Sequence, residues 1–295
     1  MMAQYESVKA AHPDCLLFFR MGDFFEMFGE DAVQAAAALD IALTRRQDIQ
    51  MCGVPVHSSE AYLAKLIRAG FKVAICEQLE SPEEAKKRGG YKALVMRDVT
   101  RVVTPGTLTE DPLLDTRRAN HLAAIAKGKN GLAIAWADIS TGAFHVQELT
   151  ESQLAAAVAR IDPRECLASD AILALHPPLR AIATVEPEAR FDALSGARRL
   201  KERFEVATLE GFGNFSDAAL AAAGAVLAYI ERTQKSATPL LNPPRLFAAG
   251  SVVTIDPSTL RNLEVFESVN GSRKDSLLNC IDMTQTAMGG RDRKS

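Results

Sequence analysis

Arg20-Met21-Gly22-Asp23-Phe24-Phe25-Glu26-Met27-Phe28 sets three phenylalanines around a Gly-Asp turn and a second carboxylate. Leu16 to Arg20, just before it, is an apolar run of strand length. Beyond the turn, Phe25, Phe28, Ala32, Ala35 and Leu39 recur at steps of three and four, a stripe that predicts a buried helix face over residues 23–39. Phe24 falls off that stripe. A large ring left beside a turn, with Glu26 two residues on, suits a wedge that enters stacked bases while a carboxylate meets a base edge. The same residues also suit an ordinary amphipathic helix with one extra ring.

Ser58-Ser59-Glu60 reads as a helix start, and the pattern Tyr62, Leu63, Leu66, Ile67 carries that helix to a stop at Gly70. Phe71 to Cys76 then reads as a buried strand, and Thr104-Pro105-Gly106-Thr107 as a type II turn closing the first domain. Strand, helix and strand in alternation give an α/β domain over residues 1–107. A polar segment with Pro112, residues 108–118, is expected to act as a linker. In residues 119–216, Gly128-Lys129-Asn130-Gly131 between two apolar runs is a hairpin signal. Gln153 to Ile161 reads as a helix ended by Asp162-Pro163, and Ile172 to Leu175 and Ala181 to Val185 as strands, making a second α/β domain. From Asp217 the pattern turns helical, breaks at Pro239 and Pro243-Pro244, passes a strand-like Ser251 to Ile255 and returns to helix near Leu260. Residues 217–295 are therefore expected to form a third, mainly helical and incomplete piece that leaves apolar surface exposed.

Gly22-Asp23-Phe24-Phe25-Glu26-Met27-Phe28 is followed in order by Leu39 to Arg46, Met51-Cys52-Gly53-Val54-Pro55-Val56-His57, Val73 to Gln78 and Val102-Val103-Thr104-Pro105-Gly106-Thr107. This series resembles the mismatch-recognition domain of the bacterial MutS family of DNA mismatch repair proteins. The likeness continues through Trp136 to Phe144, Arg261-Asn262-Leu263-Glu264 and Thr286 to Arg291, and so covers nearly the whole chain.

The resemblance implies that Phe24 enters a mismatch from the minor groove and stacks on one of its bases, with Glu26 bonding that base. It further implies that Met21 and Asp23 frame the wedge and that Arg46 and Arg97 hold phosphates. For the second domain it implies a ribonuclease H-like connector, and for residues 217–295 the start of a core domain. Its implied partners are mismatched double-stranded DNA, other repair proteins and a second copy of the chain. In the family the ATP and magnesium chemistry belongs to a C-terminal domain with a Gly-rich phosphate loop, and no G-x-x-x-x-G-K-[S/T] pattern occurs in this sequence. The chain is accordingly expected to be an N-terminal fragment without that ATPase and without its cofactors. Only four residues separate Arg46 from Met51, fewer than relatives have, which implies a shortened loop near the DNA.

Composition narrows the alternatives. At 295 residues and 47% hydrophobic, the chain is long enough for two domains and part of a third. The longest apolar run, Ala218 to Ile230, falls short of the about 20 residues a bilayer span needs and reads as a buried helix. With no secretory leader pattern either, the expectation is a cytoplasmic protein with no membrane partner. Five scattered cysteines without a C-x-x-C pair indicate neither a disulfide framework nor a zinc site, although Cys52 and His57 are close enough in sequence to share a metal. Net charge is −3, and residues 1–107 hold thirteen Lys and Arg against fourteen Asp and Glu. Global charge thus gives no support for DNA binding, and phosphate contacts must come from local groups such as Arg45-Arg46, Lys86-Lys87-Arg88, Arg97 and Arg101. Two rival functions remain at this level. One is a metal-dependent nuclease built on Asp138 with Glu148 and Asp162, and the other is a protein-interaction module of a repair complex.

Overall fold

A computed structural model describes residues 1–46, 48–90, 93–110, 113–115, 118–235, 239–247, 255 and 257–286. The chain divides into two compact units, residues 1–107 with 231–238, and residues 108–230 with 239–295.

In the first unit, helix α1 (Met2–Ala11) precedes strands β1 (Cys15–Met21) and β2 (Phe24–Phe28). Helix α2 (Glu30–Leu39) follows, then β3 (Thr44–Arg46), β4 (Ile49–Pro55), α3 (Ser59–Arg68), β5 (Lys72–Gln78), α4 (Pro82–Gly89) and β6 (Arg97–Val103). The six strands form one mixed sheet in the order β3-β4-β2-β1-β5-β6. The helix expected from residue 23 is a correction: Phe24 to Phe28 is a central strand, antiparallel to both β1 and β4, and the helix begins only at Glu30. Phe25 and Phe28 are both buried because this strand is covered on both faces, which mimics a helical stripe in the sequence. Phe25 stacks on Phe18 at 5.5 Å, and Cys52, paired with Met27, donates its thiol to the Ala32 carbonyl of α2. On the other face, Tyr5 of α1 meets Phe19 and Phe28 edge-on at 5.5 and 5.0 Å.

Buried Asp31 fastens α1 to this face, accepting from the Tyr5 hydroxyl at 3.1 Å and the Leu17 amide at 3.0 Å and pairing with Lys9 at 2.8 Å. Strand β5 and helix α3 lie where the sequence predicts them, and Thr107 N–H closes the turn onto the Thr104 carbonyl at 3.1 Å.

The second unit opens with β7 (His121–Gly128), β8 (Gly131–Asp138) and β9 (Ala143–Leu149), an antiparallel meander whose first turn is the predicted Lys129-Asn130 hairpin. Helix α5 (Glu151–Ile161) ends at Asp162 in the left-handed conformation, as the Asp162-Pro163 signal predicts. Strand β10 (Glu165–Ala168), helix α6 (Asp170–Leu175) and strand β11 (Ala183–Val185) follow. Both β10 and β11 add in parallel beyond β7, so three antiparallel strands are extended by two parallel ones, the ribonuclease H-like arrangement. One correction falls here: the short apolar run from Ile172 is helical rather than a strand. Strand β10, carrying a buried Glu165, has no clear sequence signal.

Helix α7 (Ala193–Phe204) and, as far as Ile230, helix α8 (Asp217–Thr233) follow in this unit. The segment from Asp217, expected to open a third piece, is built into the second unit's core, where Ala219, Ala222, Val226 and Ile230 pack with Ala124, Ala135 and Val146 of the sheet. The alanine-rich surfaces explain it, since they let the helix lie close to the strands. Gly196 of α7 and Gly224 of α8 cross so closely that a Cβ on Gly196 would stand 2.2 Å from the Leu220 carbonyl oxygen. Within the expected linker, Leu108, Leu113 and Leu114 are buried. Beyond residue 239 come the short strand β12 (Arg245–Leu246), paired with β9, and helices α9 (Pro257–Asn262) and α10 (Leu277–Ile281), with Leu263, Phe266, Val269, Ile281 and Met283 exposed. The strand expected over residues 251–255 lies, except for Ile255, outside the described residues.

Candidate nucleic-acid interface

The β1–β2 hairpin builds the candidate site. Met21 pairs with Phe24, so Gly22 and Asp23 are the two central turn residues. Gly22 has φ +59°, the value a glycine-first tight hairpin turn requires and one that a side chain adopts only with strain. The Asp23 carbonyl accepts from Val56 N–H at 2.9 Å, tying the turn to the end of β4. Phe24, 48% exposed, thereby stands at the end of a central strand, on a turn anchored on both sides.

Strand alternation then fixes what shares its face. Phe24, Glu26 and Phe28 point one way, and Phe28 lies in the cluster with Tyr5, Leu17, Phe19, Met21, Ile49 and Met51. Helix α1 covers the Phe28 end of that face, while the Phe24 end is open. Glu26 is opposite Gly53 in the β2–β4 register. Its carboxylate is largely buried, with the Oε2 atom inaccessible and without a hydrogen-bond partner; the nearest charge is Arg46 Nη1 at 3.9 Å. Burial pushes the Glu26 carboxyl above its ordinary value, and Arg46 opposes the shift. The site thus presents an exposed aromatic ring next to an acceptor or, when protonated, a donor that the protein leaves unsatisfied.

The remaining expected residues divide. Met21 is half-buried beneath the turn, and Asp23 is exposed at its tip. Arg46, 55% exposed, sits on the edge strand β3, paired with Ile49 of β4. Arg97 is differently engaged. Its Nε donates to the Arg20 carbonyl at 2.7 Å, its Nη1 to Gln4 Oε1 and the Val95 carbonyl at 3.1 and 3.0 Å, and its guanidinium lies over the Phe19 ring at 5.1 Å. Those bonds make Arg97 a strut between α1, β1 and β6. Arg88 of the basic run binds Glu80 and the Leu94 carbonyl. The residue that the sequence reading passed over is Gly53, whose signal is a glycine inside a strand.

The nuclease reading loses its carboxylate. Asp138 is fully buried and accepts from Asn120 N–H at 2.9 Å and from the Ser140 amide and hydroxyl at 2.9 and 2.6 Å. Glu148 accepts from Ser216 N–H, and Asp162 pairs with Arg118. Among the described residues no three His, Cys, Asp or Glu side chains come together to hold a metal ion. Cys52 is buried with its thiol pushed up to about 11, and His57 is exposed. No helix among the described residues is long and apolar enough to cross a membrane.

The family model "MutS domain I" matches residues 1–112 and "MutS domain II" residues 120–242. The chain is 52% identical over 303 residues to the DNA mismatch repair protein MutS of Ruegeria pomeroyi, covering 99% of this chain and 34% of that protein. The MutS proteins of Paracoccus denitrificans (52% over 298 residues; 99% and 34% covered) and Rhizobium meliloti (47% over 308 residues; 99% and 33% covered) are similar in the same way. The chain therefore spans about a third of the length of the curated relatives it matches. It belongs to the MutS family, of which it carries domains I and II.

Proposed function

We propose that this chain takes part in DNA mismatch repair by binding mismatched duplex DNA through Phe24, with Glu26 bonding the base on which the ring stacks. The observation that carries the reading is the pairing of an exposed ring on an anchored turn with a buried carboxylate whose Oε2 has no hydrogen-bond partner and only a 3.9 Å ion pair with Arg46. Unstacking a base step costs a few kcal/mol in a paired duplex and less at a mismatch, so a rigid wedge detects weak pairing without reading sequence. The carboxylate repels phosphates unless it meets a donor or takes a proton, so it contributes discrimination rather than affinity. Arg46, the exposed cation beside it, can turn from Glu26 to a phosphate.

With residues 1–107 near neutral, the sequence-independent affinity is small and binding by this chain alone is weak. Anisotropy titrations at low salt on G·T and fully paired duplexes test the reading. The parent chain is expected to prefer the G·T duplex, and Phe24→Ala to lose that preference without lowering the unfolding midpoint. A preference that survives Phe24→Ala refutes the wedge.

A further inference from the structure

Gly53 is a glycine that the fold does not ask for. Gly22 needs its left-handed backbone, and Gly196 needs the absence of a Cβ. Gly53 has neither reason: it lies inside β4, outside the left-handed region, and a Cβ built there makes only ordinary contacts, with the Phe25 carbonyl oxygen at 3.4 Å, Glu26 Cγ at 3.7 Å and Phe24 Cδ1 at 3.8 Å. A glycine inside a strand weakens it and packs nothing, and it marks a place where something else approaches the backbone. Those three contacts also locate the space. A methyl at 53 would sit between the wedge ring and the stem of Glu26, on the open end of the face that α1 leaves bare.

We propose that Gly53 is a specificity-determining residue by its bareness, its backbone forming the floor against which the edge of the displaced nucleobase lies while Phe24 stacks on that base and Glu26 bonds it. The inference rests on the wedge reading and deepens it. A base that reaches both groups must cross the strip between them, and there a Cβ would lift it from Glu26.

The test uses the whole chain with Phe24→Ala, Gly53→Ala and Gly53→Val. Each is titrated with G·T and paired duplexes, and with a duplex carrying 2-aminopurine as the mispaired base, whose fluorescence reports stacking. Gly53→Ala is expected to keep or raise the urea midpoint. It should cut mismatch preference by about fivefold, the effect of one misplaced methyl, with Gly53→Val cutting it further. Quenching of 2-aminopurine should weaken in the same order. If Phe24→Ala abolishes the preference while both Gly53 variants keep it, the floor is refuted and the wedge stands. If the parent shows no Phe24-dependent preference, the wedge reading falls and this inference with it. A lower urea midpoint for Gly53→Ala shows that the glycine serves the fold, and also overturns the proposal.

Discussion

The sheet of the second unit carries a packed cluster on each face, with Leu122, Ala124, Ala135 and Val146 on the α8 side and Ala123, Ile125, Ile134 and Trp136 on the α5 and α6 side. The sheet of the first unit is covered by α2 and α3 on one face, but on the other α1 packs over Phe19, Phe28 and β6 and leaves Phe24 exposed. Their polar groups differ accordingly. Asp138 in the second unit is surrounded by three donors, whereas Glu26 in the first keeps an inaccessible oxygen without any. The sheet sealed on both sides satisfies its buried carboxylates internally, Asp138 through Asn120 and Ser140 and Glu165 through Thr184 and Tyr229, and the sheet left open at one end exposes a ring beside a carboxylate oxygen without a hydrogen bond.

Phe25→Ala probes the sealed face of the first sheet and should have the largest effect. The ring is 3% exposed, stacked on Phe18 and topped by the Arg20 guanidinium at 5.5 Å, so truncation is expected to cost about 3–5 kcal/mol in urea unfolding. If Phe25→Ala is tolerated while Phe24→Ala unfolds the unit, the assignment of faces is reversed. Gly196→Ala tests the sealed unit, because its methyl has no space against the Leu220 carbonyl. A loss of about 3 kcal/mol in thermal or urea unfolding is expected, and an unchanged midpoint would mean that α7 and α8 do not cross as described.

The smallest effect belongs to the open end. Glu26→Ala should raise affinity for fully paired DNA by on the order of 1 kcal/mol, the weight of one charge near a phosphate in water, and so narrow discrimination. Equal weakening on both duplexes contradicts that role. Because burial raises the Glu26 carboxyl, the folded chain holds this proton more tightly than the unfolded one. Its contribution to stability is therefore fully present below the unfolded value and is lost as pH rises through the raised one. Glu26→Gln, which cannot ionise, should remove that loss. A stability profile over pH 4–7 identical to that of the parent would show that the carboxylate is not desolvated.

The ordered motif series made the family legible, and the hairpin turns and helix stops were legible too, because glycine, proline and asparagine act through local backbone conformation. Phe24 was also legible as the odd residue. Its exposure is the same for a helix or a strand, since steps of three and four and steps of two both set it apart from Phe25. What could not be read was the strand itself. An apolar run covered on both faces has no alternation to distinguish it from a helix, and Phe24 to Phe28 became a strand only through pairing with β1 and β4. For the same reason the short apolar run from Ile172 reads as a strand although it folds as a helix.

By itself the sequence determined the family, the two α/β domains and the ring that stands apart. Tertiary structure alone decided that Arg97 is a strut, that Asp138 serves its own loop and that the helix from Asp217 belongs to the second core. It also brought Arg46 and Gly53 to Glu26, from 20 and 27 positions along the chain, because register between strands is set by long-range pairing and leaves no mark on either strand's own residues.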